Sequence, residues 1–78
     1  MRNPRIYQKQ TMQPAETIEL DDDAFGHVVR VLRLKDGDAI TLFNGQLFGG
    51  QLGDFNAELI NVGKKKAQAK IINFVAKS

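Results

Sequence analysis

Four stretches of this chain alternate polar and apolar residues, and one repeats its apolar residues at helical spacing. Thr17-Ile18-Glu19-Leu20, Ala39-Ile40-Thr41-Leu42-Phe43, Phe55-Asn56-Ala57-Glu58-Leu59 and Ala67-Gln68-Ala69-Lys70-Ile71 read as half-buried strands, because successive side chains of a strand point to opposite faces. Phe25, Val28, Val29 and Leu32 fall at i, i+3, i+4 and i+7, one apolar stripe of a short helix over about 22–33. Asp21-Asp22-Asp23 opens that helix, since an aspartate accepts the unpaired first-turn N–H groups and its charge opposes the helix dipole. Gly26 weakens the first turn, and Lys35-Asp36-Gly37-Asp38 is a turn that stops the helix near Arg33.

The connections are read from turn chemistry. Asn44-Gly45 is the pair favoured for a type I′ hairpin turn, because both residues accept positive φ. Gln46 to Leu52 is a poorer strand, interrupted by Gly49-Gly50 as by a bulge or a wide loop. Gly53-Asp54 and Gly63-Lys64-Lys65-Lys66 supply further turns. Ile71-Ile72-Asn73-Phe74-Val75 is apolar on both faces, as a terminal strand buried on both sides would be, or a chain about to enter a second domain. Five or six short strands and one short helix predict a mainly β fold, a small barrel or sandwich. Closing the sheet would remove its exposed edges.

Length and composition limit what such a fold can do. Seventy-eight residues allow one domain with a thin core. Without cysteine there is no disulfide framework or cysteine-based metal site, a composition that fits a reducing cytoplasm. One histidine rules out a multi-histidine zinc site within one chain, and Asp21-Asp22-Asp23 lacks the alternating spacing of a calcium loop. The longest apolar runs are far too short to cross a membrane, and no apolar segment follows Arg2 and Arg5 to make a signal peptide. No nucleophile–base–acid set or phosphate-binding glycine loop is present, so the chain is expected to bind rather than to react.

The net charge is only +2, but the charges are segregated. Acids crowd between Glu16 and Asp23, and none follows Glu58, where Lys64, Lys65, Lys66, Lys70 and Lys77 lie. Such segregation can build a basic face suited to a polyanion, although late lysines also serve solubility alone. Arg30 and Arg33 share a helix face with His27, so three donors could meet one line of phosphates. They could equally pair with Asp22, Asp23 or Asp36. Arg2, Arg5 and Tyr7 offer two guanidinium groups beside a ring that could stack on a base, or Tyr7 could be a core residue. Lys64, Lys65 and Lys66 are either a solvated hairpin tip or an extension of the same footprint.

Together these residues resemble a known family. Arg2-Asn3-Pro4-Arg5-Ile6-Tyr7 resembles the R-x-P-R-x-[YF] start of the RsmE-type 16S ribosomal RNA (uracil-N3)-methyltransferases. His27-Val28-Val29-Arg30-Val31-Leu32-Arg33 with Gly37-Asp38 resembles their H-x-x-R-V-L-R…G motif, and Leu42-Phe43-Asn44-Gly45 and Gly63-Lys64-Lys65 fall where similar pieces are expected. The stretch Gln46 to Asp54 departs from the family by being several residues longer. The resemblance implies a closed PUA-like β-barrel over 1–73, with 74–78 starting a linker to a missing C-terminal SPOUT domain. That domain would bind S-adenosylmethionine, form a homodimer and methylate 16S rRNA of the small ribosomal subunit in the cytoplasm. This chain would hold no cofactor and no catalytic residue, and Arg2, Arg5, Tyr7, His27, Arg30, Arg33, Lys64, Lys65 and Lys66 would contact RNA. A structural module joined to a neighbouring domain, or a free-standing small-barrel RNA binder, are the other readings.

Overall fold

The computed structural model describes residues 3–77. Five strands, β1 (Arg5–Tyr7), β2 (Thr17–Glu19), β3 (Ala39–Phe43), β4 (Gly53–Ile60) and β5 (Gln68–Ala76), form one sheet in the order β1-β3-β4-β5-β2. The alternating residues behave as their pattern predicts: Ile18, Ile40, Leu42, Phe55, Ala57, Leu59, Ala69 and Ile71 all turn into a single core. The fold is mainly β with one short helix, a curled half-barrel whose concave side holds that core.

The two edge strands are joined by a side chain. Gln8, directly after β1, is only 2% exposed. Its amide nitrogen donates to the Glu19 carbonyl at 3.4 Å, and its amide oxygen accepts from the Asp21 backbone N–H at 3.2 Å. A buried amide in this position satisfies backbone groups that a missing ladder would leave orphaned. Met12, 1% exposed, joins the same core.

Two irregularities explain what the sequence left ambiguous at the end of the chain. The β4–β5 register shifts between Asn56 and Ala57, which face Asn73 and Ile71, so Ile72 is the extra residue of a bulge. That shift puts Ile71 inside, Ile72 outside and Phe74 back against the core, which accounts for an apolar run on both faces. β5 continues beyond the bulge to Ala76.

The long β3–β4 connection also differs from expectation. Asn44 does not take positive φ; its side chain donates to the Gln10 carbonyl at 2.9 Å and accepts the Gln46 N–H at 3.0 Å. The hairpin turn sits instead at Gly49-Gly50, with φ of 59° and 82° and reciprocal Phe48–Gln51 backbone bonds. Phe48 at the foot of this turn packs on Phe55 and Phe74, with ring centroids 5.5 and 4.9 Å away.

Gly53 begins β4 where nothing larger fits. A Cβ there would collide with the Val75 carbonyl oxygen and approach the Phe74 ring at 2.6 Å. Gly53→Ala is expected to destabilise the domain by about 1–3 kcal/mol, read as a lower urea midpoint at unchanged slope.

Candidate nucleic-acid interface

The helix carries three of the candidate residues and is wound unusually. Asp21 caps it by accepting the Ala24 N–H at 2.8 Å, with Asp22 and Asp23 in the first turn, as their charges favour. The α-helical turn Asp22–Phe25 (α1) passes directly into a π-helical segment, Gly26–Val31. Gly26 and the β-branched Val28, Val29 and Val31 are weak α-formers, so little intrinsic preference opposes the wider turn. Leu32 N–H closes on the His27 carbonyl five residues back.

This winding redistributes the predicted faces. Phe25 and Val28 are buried and Val29 is partly so, but Leu32 emerges to 37% exposure, and Leu34 packs on the core in its place. The helix ends before Arg33, which lies in the left-handed region at φ 56°, while Leu34 N–H reaches back to the Val28 carbonyl. Glycine normally fills such a position after a helix. Arg33→Gly is therefore expected to raise stability by roughly 1 kcal/mol, because a side chain there carries a steric cost of about that size. Unfolding titrations of the two proteins check this.

His27 and Arg30 border different hollows. Arg30 lies beside Lys65, Asp22 and Phe25 around a hollow of about 380 Å³, its guanidinium carbon 5.9 Å from the Phe25 ring centroid. His27 borders a separate notch of about 320 Å³ with Arg5, Tyr7, Asp23 and Phe43. Among the described residues Arg30, Arg33, Lys64 and Lys65 enter no ion pair. Asp36, a partner considered from sequence, instead accepts the Val62 N–H at 2.7 Å. Lys66 reaches Glu19 only at 4.0 Å, with both side chains exposed, so that contact holds it weakly.

The N-terminal candidates are placed differently. Arg5 is not a free guanidinium: its Nε and Nη2 donate to the two Asp54 carboxylate oxygens at 3.1 and 3.0 Å, and the group lies 4.0 Å from the Phe43 ring centroid. The hydrogen bonds to Asp54 raise the Arg5 pKa above its ordinary value; slight desolvation opposes this and the Asp54 charge adds to it. Tyr7 is not in the core; its residue is 50% exposed and its ring meets Phe43 edge to face at 5.5 Å. Arg2 lies outside the described residues. Asp23, Phe43 and Asp54 complete these surroundings and were not among the sequence candidates. Only the fold brings Asp54 to Arg5, forty-nine positions away.

A curled five-stranded β half-barrel braced by one short helix is a PUA-like fold. The chain belongs to the RNA methyltransferase PUA domain family, whose model matches residues 20–72. Among solved structures it is similar to a methyltransferase from Legionella pneumophila described as putative and bound to SAM, at 36% identity and TM-score 0.86 over 97% of this chain. It is also similar to a ribosomal RNA small subunit methyltransferase E from Neisseria gonorrhoeae bound to S-adenosyl methionine (28% identity, TM-score 0.79, 95% of this chain). A probable rRNA-methyltransferase from Porphyromonas gingivalis matches at 25% identity and TM-score 0.75 over 96% of this chain. The chain spans 29% of the first two proteins and 28% of the third. Among the described residues no helix is long and apolar enough to cross a membrane.

Proposed function

We propose that this chain is the RNA-binding domain of a 16S rRNA uracil-N3 methyltransferase. It positions rRNA of the small ribosomal subunit for S-adenosylmethionine-dependent methylation by a separate SPOUT domain, through which the cytoplasmic enzyme dimerises. The observation that carries this reading is that Arg30 and Lys65 border one hollow and, like the exposed Arg33 and Lys64 beside them in sequence, enter no ion pair among the described residues, on a domain of an RNA methyltransferase family. Arginine forks and lysine points suit phosphate, and contacts of this kind set orientation and affinity rather than sequence choice. Lys66 extends the same patch, and His27 and Tyr7 border it. Arg5 contributes with the edge left free by Asp54, and Arg2 would add to it. The catalytic step lies outside these residues.

Titration of a labelled 16S rRNA helix with the domain at several salt concentrations tests the reading. Log affinity should fall linearly with log salt, by about 0.9 per phosphate neutralised on a duplex. Affinity that ignores salt contradicts it.

One observation favours a second reading. Val31 at 68% exposure and Leu32 at 37% adjoin Arg30 and Arg33, an apolar margin suited to a neighbouring protein domain. Under that reading Arg30→Ala lowers the thermal stability of a longer protein and leaves RNA affinity of this domain unchanged.

A further inference from the structure

The notch beside β1 differs chemically from the cation patch. Tyr7 and Phe43 supply aromatic walls, Ile6 and Ala24 an apolar floor, and Arg5, Asp23 and His27 the polar rim. One face of Phe43 is covered by Arg5 at 4.0 Å, while Tyr7 is half exposed. The Arg5 guanidinium is engaged by Asp54 and the Asp23 carboxylate repels phosphate, so the notch is less suited to phosphate than the cation patch is. An exposed aromatic ring beside a carboxylate suits an unpaired base, stacked on its face and read along its hydrogen-bonding edge. At about 320 Å³ the notch is at the small end of ligand sites, as one base would require.

The rim chemistry selects among bases. Two acceptor oxygens on Asp23 match two adjacent donors, and an imidazole N–H on His27 matches an acceptor beside them. Guanine offers N2–H, N1–H and O6 in that order along one edge. Uracil offers a donor between two acceptors, and adenine and cytosine each offer a single donor group on that edge. We propose that the notch formed by Tyr7, Asp23, His27 and Phe43 is a base-reading subsite for an unpaired guanine. It rests on the RNA-binding reading above and adds a sequence preference to it.

The test compares short single-stranded, U-rich RNA oligomers with guanine, uracil or an abasic site at one central position, titrated against the whole chain by fluorescence anisotropy. The guanine oligomer should bind about tenfold more tightly than the uracil one, the discrimination typical of a bidentate contact. Asp23→Asn, which exchanges one acceptor for a donor, should abolish that preference, while Lys64→Ala should weaken all three oligomers and leave it intact. Tyr7 is the only tyrosine, so its ring protons give an isolated NMR signal, expected to move upfield when guanine stacks. Equal binding of all three oligomers with unmoved Tyr7 signals, or a uniform gain in affinity from Asp23→Asn, overturns the subsite and leaves RNA binding standing. Failure of every oligomer and of the structured rRNA helix to bind overturns both.

Discussion

Replacing Arg30 and Arg33 together by alanine should weaken binding to structured rRNA by at least about tenfold at moderate salt, and should flatten the salt slope by about two, one for each lost phosphate contact. Both residues are exposed and neither forms an ion pair among the described residues, so the loss should fall on binding rather than folding. Arg30 gives up only a distant approach to the Phe25 ring, and alanine at position 33 keeps the same left-handed backbone that arginine occupies. Thermal melts of the double variant should therefore overlay those of the parent closely. Lys64→Ala, on the neighbouring hairpin tip, should have a smaller effect of the same sign. A variant that keeps full affinity and an unchanged salt slope would assign the helix side to another role.

The largest effect on stability is expected at Phe55. Its ring is 1% exposed and packs against Phe48 and Phe74 at 5.5 and 4.9 Å, tying the long β3–β4 connection and the end of β5 to the core. Phe55→Ala removes the central member of that cluster and should cost about 3–5 kcal/mol. Domains of this length have total stabilities of roughly 4–12 kcal/mol, so the variant should lose a large share of its stability. Val75→Ala, on the outer face of β5 and 53% exposed, is the matched control and should change the urea midpoint little. Chemical denaturation followed by circular dichroism separates the two outcomes.

Features that depend on neighbours in the chain were legible in the sequence. The alternation of Ile40, Leu42, Phe55, Ala57 and Leu59 identified inward residues because strand geometry fixes side-chain direction locally. The capping role of the aspartate cluster was legible for the same reason: Asp21 meets an N–H three residues away. The helix stripe failed only where its assumption failed. Ordinary α-winding carries Leu32 onto the apolar face, whereas the π-wound segment turns it outward and brings Leu34 in.

Features made by distant residues were not legible. β1 has three residues and one buried side chain, Ile6, too little for a pattern, and it exists because it pairs in parallel with β3. Asn44-Gly45 has the composition of a tight hairpin, but the Gln10 carbonyl captures the Asn44 amide and the turn forms at Gly49-Gly50. The arginine at position 5 looked available until the fold placed Asp54 beneath it. The candidate surface was thus visible in its residue types, while its division into a cation patch and an aromatic notch required the three-dimensional arrangement.

Mapping backbone amide shifts of the isotopically labelled domain during titration with a 16S rRNA helix tests the central claim most directly. The account predicts that the perturbed amides cluster around His27, Arg30, Arg33 and Lys64 to Lys66. Perturbations confined to the outer face of β4 and β5, around Asn56, Ile72 and Val75, with the helix side unchanged, would contradict it.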